Sequence, residues 1–421
     1  MILHDCSGSS VSDTENPYRV RFFMKALAIL PNSWYNKSKS GGGKIPSQFH
    51  NLKGNKIMDK KLRIGIIGCG GIAHAHMRAY LEIPEVEIVG GADIVPGKAR
   101  KFLDEFGLTD AKAFDCATDL LKCELDAVSV CTYNSQHAVC AVEALEAGCH
   151  VLLEKPMCLN MKEAQAIYEA EKKSGKILTI GFQPRYGANF QQVKEIISSG
   201  TLGDVYYVQT GGGRRRGIPG GTFIEKDTAG VGALADIGCY ALDFAMNSIG
   251  YPKPLTVSAV AYDHFGKNPK YYGDAERFSV DDFSAAFVRL EGGITLDFRM
   301  SWAMHMDTTG DFLFLGKDAG LKVKQPNLEL WGGAWDGTVG QITLYHDMCG
   351  KPTSTVIPTG TEIKSNLFYS KVKAFTDAVI NGGTAPIPTS QILYNQAIID
   401  GIIRSVACGH EVETDLAFLD K

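Results

Sequence analysis

The chain has 421 residues, of which 45% are hydrophobic and 21% charged, with a formal net charge of −4. That length suits two or three domains, and the composition excludes a disordered chain, a collagen-like chain and a disulfide miniprotein. The acidic balance offers no general surface for nucleic acid. No run of about 18 uncharged apolar residues occurs, so no membrane span is expected.

The eleven cysteines are scattered and none forms a C-x-x-C pair. This argues against a zinc ribbon or a redox dithiol. Cys131 and Cys149 lie inside apolar runs, so the cysteines read as buried free thiols and the chain as cytoplasmic. No H-E-x-x-H or comparable spacing appears, and no metal is expected.

Residues 1–57 differ from the rest of the chain. They hold eight Lys and Arg against three Asp and Glu, a net of +5 that leaves −9 for the remainder. They carry Gly41-Gly42-Gly43 and no useful periodicity, and the patch Phe22–Leu30 is interrupted by Lys25. The segment reads as a disordered or artefactual leader, with an acid-poor transit peptide as the alternative and Met58 as the functional start.

Leu62–Ile67 is an apolar run typical of a buried parallel strand. It leads into Gly68-Cys69-Gly70-Gly71-Ile72-Ala73, the G-x-G-x-x-A form of the dinucleotide fingerprint, with a helix expected over Ile72–Leu81. Gly68 permits the tight turn and Gly70 lets a pyrophosphate approach the backbone. Ala73 lets helix and strand pack, and the helix N-terminus, with Gly71 and Ile72, faces the phosphate charge. A second strand, Val86–Ala92, ends at Asp93, twenty residues beyond Ala73. A carboxylate there accepts ribose hydroxyls and repels a 2′-phosphate, which favours NAD over NADP; Lys98 and Arg100 nearby would blunt that preference.

Alternation continues. Helix 96–106 and a weak strand near 112–115 precede strand Asp126–Thr132, helix Ser135–Ala147 and strand His150–Leu153. Helix Asn160–Lys173 and strand Lys176–Ile180 come next. The fold class is α/β: a doubly wound parallel Rossmann sheet over 58–182, then a second domain over 183–421. Ligands bind at the carboxyl ends of such strands. Thr132-Tyr133-Asn134, Glu154-Lys155-Pro156 and Gln183-Pro184-Arg185-Tyr186 all fall there. Beyond them, strands are expected at Leu255–Ala261, Asp282–Leu290, Gly293–Met300, Asp311–Leu315 and Gln341–Tyr345, with helices near 365–380 and 390–407.

Four motifs make the chain resemble the Gfo/Idh/MocA oxidoreductases, over roughly Lys61 to the C-terminus. They are Gly68–Ala73 with Asp93, Cys131–His137, Ala144–Pro156 and Gly230–Asp243. The resemblance implies an NAD- or NADP-binding Rossmann domain and a C-terminal α/β domain with a large open, mostly antiparallel sheet. It also implies a homodimer or homotetramer formed through that sheet, and hydride transfer at a hydroxyl or ketone of a sugar, cyclitol or glycoside. Two positions depart from the common pattern: Tyr133 replaces a proline, and Tyr240 stands where a histidine is usual.

Hydride transfer from an alcohol needs a base for the hydroxyl proton and a fixed path to the nicotinamide. Asp236 and Tyr240 are four apart on an expected helix and share a face, with Asp243 near it. Lys155 approaches from the Rossmann domain, and its ammonium would lower a tyrosine pKa that is ordinarily near 10. The expected catalytic residues are therefore Lys155, Asp236 and Tyr240, one of Lys155 and Tyr240 taking the proton. Thr132, Asn134, His137, Glu154 and Lys155 are expected at the cofactor, His137 in a supporting role. Arg185, Tyr186, Trp302 and His305 join Asp236 and Tyr240 as expected substrate contacts, Trp302 by stacking on a sugar ring. Arg214-Arg215-Arg216 reads either as an anion site or as a solvated loop.

Three functions compete: an NAD-dependent sugar, cyclitol or glycoside dehydrogenase; a glycosidase that oxidises, eliminates and re-reduces with retained NAD; and a non-catalytic NAD-binding subunit. The pairing of Lys155 with Asp236 argues against the last. No nucleic-acid or membrane partner is expected.

Overall fold

The computed structural model describes residues 61–326, 337–359 and 366–420. The leader expectation over 1–57 lies outside them. The first sheet is built from β1 (Leu62–Ile67), β2 (Val86–Ala92), β3 (Lys112–Phe114), β4 (Ala127–Val130), β5 (His150–Leu153) and β6 (Leu178–Ile180). Its order is β3-β2-β1-β4-β5-β6, and every pairing is parallel. Chain order reverses between β1 and β4, so a crevice opens at their carboxyl ends. The crossover helices are α1 (Gly71–Leu81), α2 (Lys98–Glu105), the short α3 (Ala117–Leu120), α4 (His137–Glu146) and α5 (Met161–Ser174). The sequence dictates α5 closely. The Asn160 side chain accepts from the Glu163 N–H, the Glu163 carboxylate accepts from the Leu159 N–H, and Gly175 closes the helix at φ 65°.

The second half begins with α6 (Ala188–Ser198) and β7 (Val205–Gln209). Two short helices, α7 (Lys226–Ala229) and α8 (Ala233–Asp236), lead into α9 (Gly238–Ser248). The remaining strands are β8 (Pro254–Tyr262), β9 (Phe283–Leu290), β10 (Thr295–Ser301), β11 (Phe312–Gly316), β12 (Ala319–Val323), β13 (Ile342–Met348) and β14 (Lys351–Ile357). Helices α10 (Leu367–Ile380) and α11 (Thr389–Cys408) precede β15 (Val412–Glu413). The nine strands run β14-β13-β12-β11-β7-β10-β9-β8-β15, antiparallel except for β7 beside β10. One face packs on helices, where Phe244 stacks on Phe190 at 3.9 Å and meets Phe312 edge-on at 4.8 Å. The opposite face leaves Val260, Tyr262, Phe287, Tyr345 and Val356 exposed.

The boundary expected at residue 182 is crossed by α10. This helix packs against α1, and its Val372 and Phe375 join the core of the first sheet. The strands β7, β12, β14 and β15 and the helices α3, α6 and α7 were not anticipated. Among the described residues no single helix is long and apolar enough to cross a membrane.

Candidate active site

A cleft of about 680 Å³ runs along the carboxyl ends of the first sheet to the N-terminal end of α9. This size is in the range that holds a cofactor or substrate. Its walls include Gly68, Gly70, Gly71, Ile72, Asp93, Thr132, Asn134, Glu154, Lys155, Asp236 and Tyr240, which gathers most of the expected site.

At the nucleotide end Gly68 has φ 86°, and a Cβ there would lie 2.7 Å from the Cys131 backbone, so only glycine fits. A Cβ at Gly70 or Gly71 meets nothing within 4 Å, because both face the open cleft. Gly70 caps α1 without a side chain, leaving the first-turn N–H groups available to a phosphate. The Thr132 hydroxyl is buried without a partner and borders the same space. These features fit a dinucleotide. Ala73 is fully buried and acts through packing.

Asp93 directly follows β2 and accepts from the Cys69 N–H at 2.9 Å, the Val95 N–H at 3.0 Å and Lys98 Nζ at 2.8 Å. Burial works against its charge, but these donors outweigh it and hold the carboxyl below its usual range. Lys98 borders the cleft. Arg100 does not: it donates to the carbonyls of Ala111 and Leu108.

At the other end Lys155 Nζ donates to the Asp236 carboxylate at 3.0 Å and to the Asp236 backbone carbonyl at 2.8 Å. Trp302 Nε1 donates to the second carboxylate oxygen at 3.0 Å. The single helix expected to carry Asp236 and Tyr240 is broken at Ile237, with α7–α8 and α9 meeting at 45°. The Tyr240 N–H bonds the carbonyl of Ile237 instead of that of Asp236. The Asp236 carbonyl, released from the helical ladder, is the one Lys155 takes. Asp281 fixes α8 from its other end, accepting from the N–H groups of Gly232 at 2.7 Å and Leu234 at 2.9 Å.

The Lys155 ammonium lies over the Tyr240 ring, 5.0 Å from its centroid, and the phenol is held by Gln183 Nε2 at 3.0 Å. Burial raises the Tyr240 pKa by more than Lys155 lowers it, so the phenol is a proton donor at neutral pH. The expectation of a lysine-activated phenolate is corrected accordingly. Burial also pulls Lys155 down, but Asp236 and the neighbouring tyrosine outweigh it and hold the ammonium above its usual range.

Several expected contacts lie elsewhere. Arg185 is bound by Asp243, with Nε to Oδ2 at 2.9 Å and Nη2 to Oδ1 at 2.7 Å, and donates to Gln391 at 2.6 Å. It borders no part of the cleft, and Asp243 is its buried counter-ion and not a companion of Asp236. Tyr186, beside it, is half-buried and also outside the cleft, with its pKa pushed up to about 12 by burial. Trp302 is 0% exposed and so stacks on no sugar; it orients Asp236. His305 is exposed and packs edge-on against Phe265 at 4.9 Å. His137 is buried, Nδ1 2.6 Å from the Pro156 carbonyl and Nε2 3.2 Å from that of Thr132, a supporting position between two cleft loops. Of the three arginines only Arg214 borders the cleft; Arg216 lies over Phe265 and Tyr271. Asn134 donates to the Ala229 carbonyl at 2.9 Å, joining the two halves.

Sequence reasoning missed Gln183 as the Tyr240 partner, Asp281 as the α8 cap and Lys371. The last carried a signal: Leu367, Lys371 and Phe375 recur every fourth residue, which places a lysine in an apolar stripe.

Fold and cleft together define an oxidoreductase that uses a nicotinamide dinucleotide. The model of the oxidoreductase family with NAD-binding Rossmann fold matches residues 62–182, and that of the GFO/IDH/MocA C-terminal domain matches 190–322. The D-glucoside 3-dehydrogenase of Escherichia coli K12 is 33% identical over 252 residues, 58% of this chain and 71% of that one. The inositol 2-dehydrogenase of Salmonella typhimurium LT2 is 37% identical over 145 residues, 34% of this chain and 43% of that one. A solved levoglucosan dehydrogenase in complex with NADH shares the fold with a TM-score of 0.69, at 21% identity over 85% of this chain and all of that one. The chain belongs to the Gfo/Idh/MocA family of NAD-binding oxidoreductases.

Proposed function

We propose that this chain is an NAD-dependent dehydrogenase of a ring hydroxyl on a sugar or glycoside, with a glucoside hydroxyl the first candidate. One observation carries the reading: the Lys155–Asp236 pair and the Tyr240 hydroxyl close the same cleft whose far wall is the dinucleotide fingerprint. The name of the glucoside 3-dehydrogenase relative supports the substrate class and position 3 of the ring.

When bound, NAD supplies the hydride acceptor. Gly68–Ile72 hold its phosphates, Asp93 its adenosine ribose, and Thr132 and Glu154 the nicotinamide side. Lys155 and Tyr240 bracket the reacting oxygen, Lys155 exchanging its proton and Tyr240 donating a hydrogen bond. Asp236, fixed by Trp302, holds Lys155 in place and accepts from a neighbouring sugar hydroxyl. Proton exchange at Lys155 precedes oxidation, and the protonated pair suits reduction of a ketone without adjustment.

Asp93 favours NAD over NADP. The open face of the nine-stranded sheet, where Val260, Tyr262, Phe287, Tyr345 and Val356 are exposed, is the contact between copies in a homodimer or homotetramer. The free thiols among the described residues suit the cytoplasm.

The test is mass spectrometry of products after incubation with NAD and a panel of sugars, cyclitols and glycosides. A product lighter by two hydrogens with NADH accumulating is expected. Aglycone release without NADH establishes the redox-cycling glycosidase instead, and no product across the panel removes the reading.

A further inference from the structure

Beneath the nicotinamide end of the cleft lies a buried polar column, of which the steps above use only Glu154. Glu154 is 3% exposed, and its Oε1 lies 2.6 Å from Lys371 Nζ and 2.8 Å from His76 Nε2. His76 Nδ1 lies 3.0 Å from Ser129 Oγ, which lies 2.8 Å from the Tyr80 hydroxyl. One hydrogen assignment satisfies every contact of the column except that of Lys371 Nζ with His76 Nε2 at 3.0 Å, where two donors meet. Tyr80 donates to Ser129, Ser129 to His76 Nδ1, and His76 Nε2–H together with Lys371 to Glu154. Every donor then points toward one carboxylate oxygen. Among the described residues the other oxygen receives only a long contact from the Lys155 N–H at 3.3 Å, and Glu154 borders the cleft.

The parts come from distant places: α1, β4, the end of β5, and α10, more than 200 residues away. Gly181 makes the room, since a Cβ there would sit 2.5 Å from Glu154 Oε1. A lysine with 1% of its side chain exposed, set in an apolar helical stripe, persists only where its charge is matched.

We propose that Lys371 is a positioning residue, holding Glu154 as a carboxylate whose free oxygen faces the nicotinamide half of the bound cofactor. This rests on the cofactor reading above. Burial opposes ionisation of Glu154, but Lys371 and His76 outweigh it and keep the carboxyl well below its usual range. Burial and Lys371 bring His76 down to about 4, so it is neutral. The other titratable groups that act on this cluster are Tyr80, Cys131, His137, Lys155, Cys239 and Tyr240. Of these, His137 has its pKa lowered by burial, and the rest have theirs raised. None changes charge between pH 6.5 and 8.5, so the wild-type cluster keeps one protonation state there.

Lys371→Met removes one charge from a sealed cluster. Lys371 no longer offsets the burial of Glu154, so Glu154 takes up a proton with a folded pKa above its unfolded one. Stability gained that way is present at low pH and lost as pH rises through neutrality. The melting temperature of Lys371→Met should therefore fall between about pH 6.5 and 8.5 relative to wild type. In Lys371→Met/Glu154→Gln the charges balance again, and the relative pH dependence should vanish.

The double variant also separates positioning from packing. It should melt near wild type yet bind NADH about tenfold more weakly in a fluorescence titration, because an amide replaces the carboxylate facing the cofactor. Wild-type NADH affinity in the double variant, or a Lys371→Met melting curve that parallels wild type with pH, overturns the proposal. If Lys371→Met does not fold, the double variant alone decides through its NADH affinity. A wild-type protein that binds no NADH would defeat the cofactor reading itself, while the pH comparison would still report on the cluster.

Discussion

Replacing Lys155 by methionine tests the centre of the site. The change keeps most of the aliphatic stem and removes an ammonium that makes two bonds to Asp236, at 3.0 and 2.8 Å. Asp236 keeps the Trp302 indole, and its side chain is 17% exposed, so water can cover the vacated oxygen. The stability cost should be about 1–3 kcal/mol, the range for a charged hydrogen bond, and a fold stable by about 5–15 kcal/mol survives it. The chemical step loses its proton-exchanging group, which is worth about 10²–10⁴ in rate, or about 3–5 kcal/mol of barrier. The nucleotide end, from Gly68 to Asp93, is untouched, so NAD affinity should stay within about threefold. Single-turnover formation of NADH from preloaded enzyme, with a separate fluorescence titration of NADH, reads the two effects apart. Turnover within about tenfold of wild type would refute the role of Lys155. Unchanged chemistry with lost cofactor affinity would move Lys155 to the binding side.

Three further outcomes rest on the same geometry. Because Lys155 and Tyr240 both hold their protons above neutral pH, alcohol oxidation should accelerate with pH through the neutral and alkaline range while ketone reduction stays flat; initial rates in both directions decide, and parallel profiles would refute it. Arg185→Met strands the buried Asp243 carboxylate and should cost about 3–5 kcal/mol in denaturant unfolding without altering KM for the sugar; a large KM rise with unchanged stability would return Arg185 to the substrate. Asp93→Ser removes the carboxylate that repels a 2′-phosphate but leaves Lys98, so kcat/KM for NADP relative to NAD should rise at least about tenfold, and Lys98→Ala on that background should cancel the gain; no change in the ratio would place nucleotide selection elsewhere.

The first sheet was legible nearly strand by strand, because parallel strands buried on both faces are short apolar runs and each glycine turn has a local cause. Gly68 and Asp93 follow from that local logic. The second sheet was read less completely. The β7 segment Val205–Gln209 has its central place through pairing with β10 and β11, partners about 90 to 110 residues away, and no local pattern announces that. Arg185 and Trp302 were misplaced for a related reason. Residue type suggested a substrate contact, whereas the deciding facts are the partners brought by folding: Asp243 for one, Asp236 for the other.

The break at Ile237 shows how that non-local information reaches the chemistry. A continuous helix over 233–248 would give the Asp236 carbonyl to the Tyr240 N–H and leave Lys155 only the carboxylate. Gly238 lets α9 approach β10 closely, since a Cβ there would lie 2.9 Å from Phe298 Cζ, and Asp281 pins α8 at its start. Two helices fixed independently need not share a ladder, and the carbonyl that falls between them becomes a second acceptor for Lys155. Two acceptors from one residue define the ammonium's position more tightly than one, which favours a group that must meet a substrate oxygen and a tyrosine ring together. Gly238→Ala tests this: a methyl at the Phe298 contact should tilt α9 and lower kcat more than it raises KM, because the displaced part is the proton-exchanging pair and not the nucleotide cradle. A rise in KM for NAD with kcat unchanged would show that the break serves packing alone.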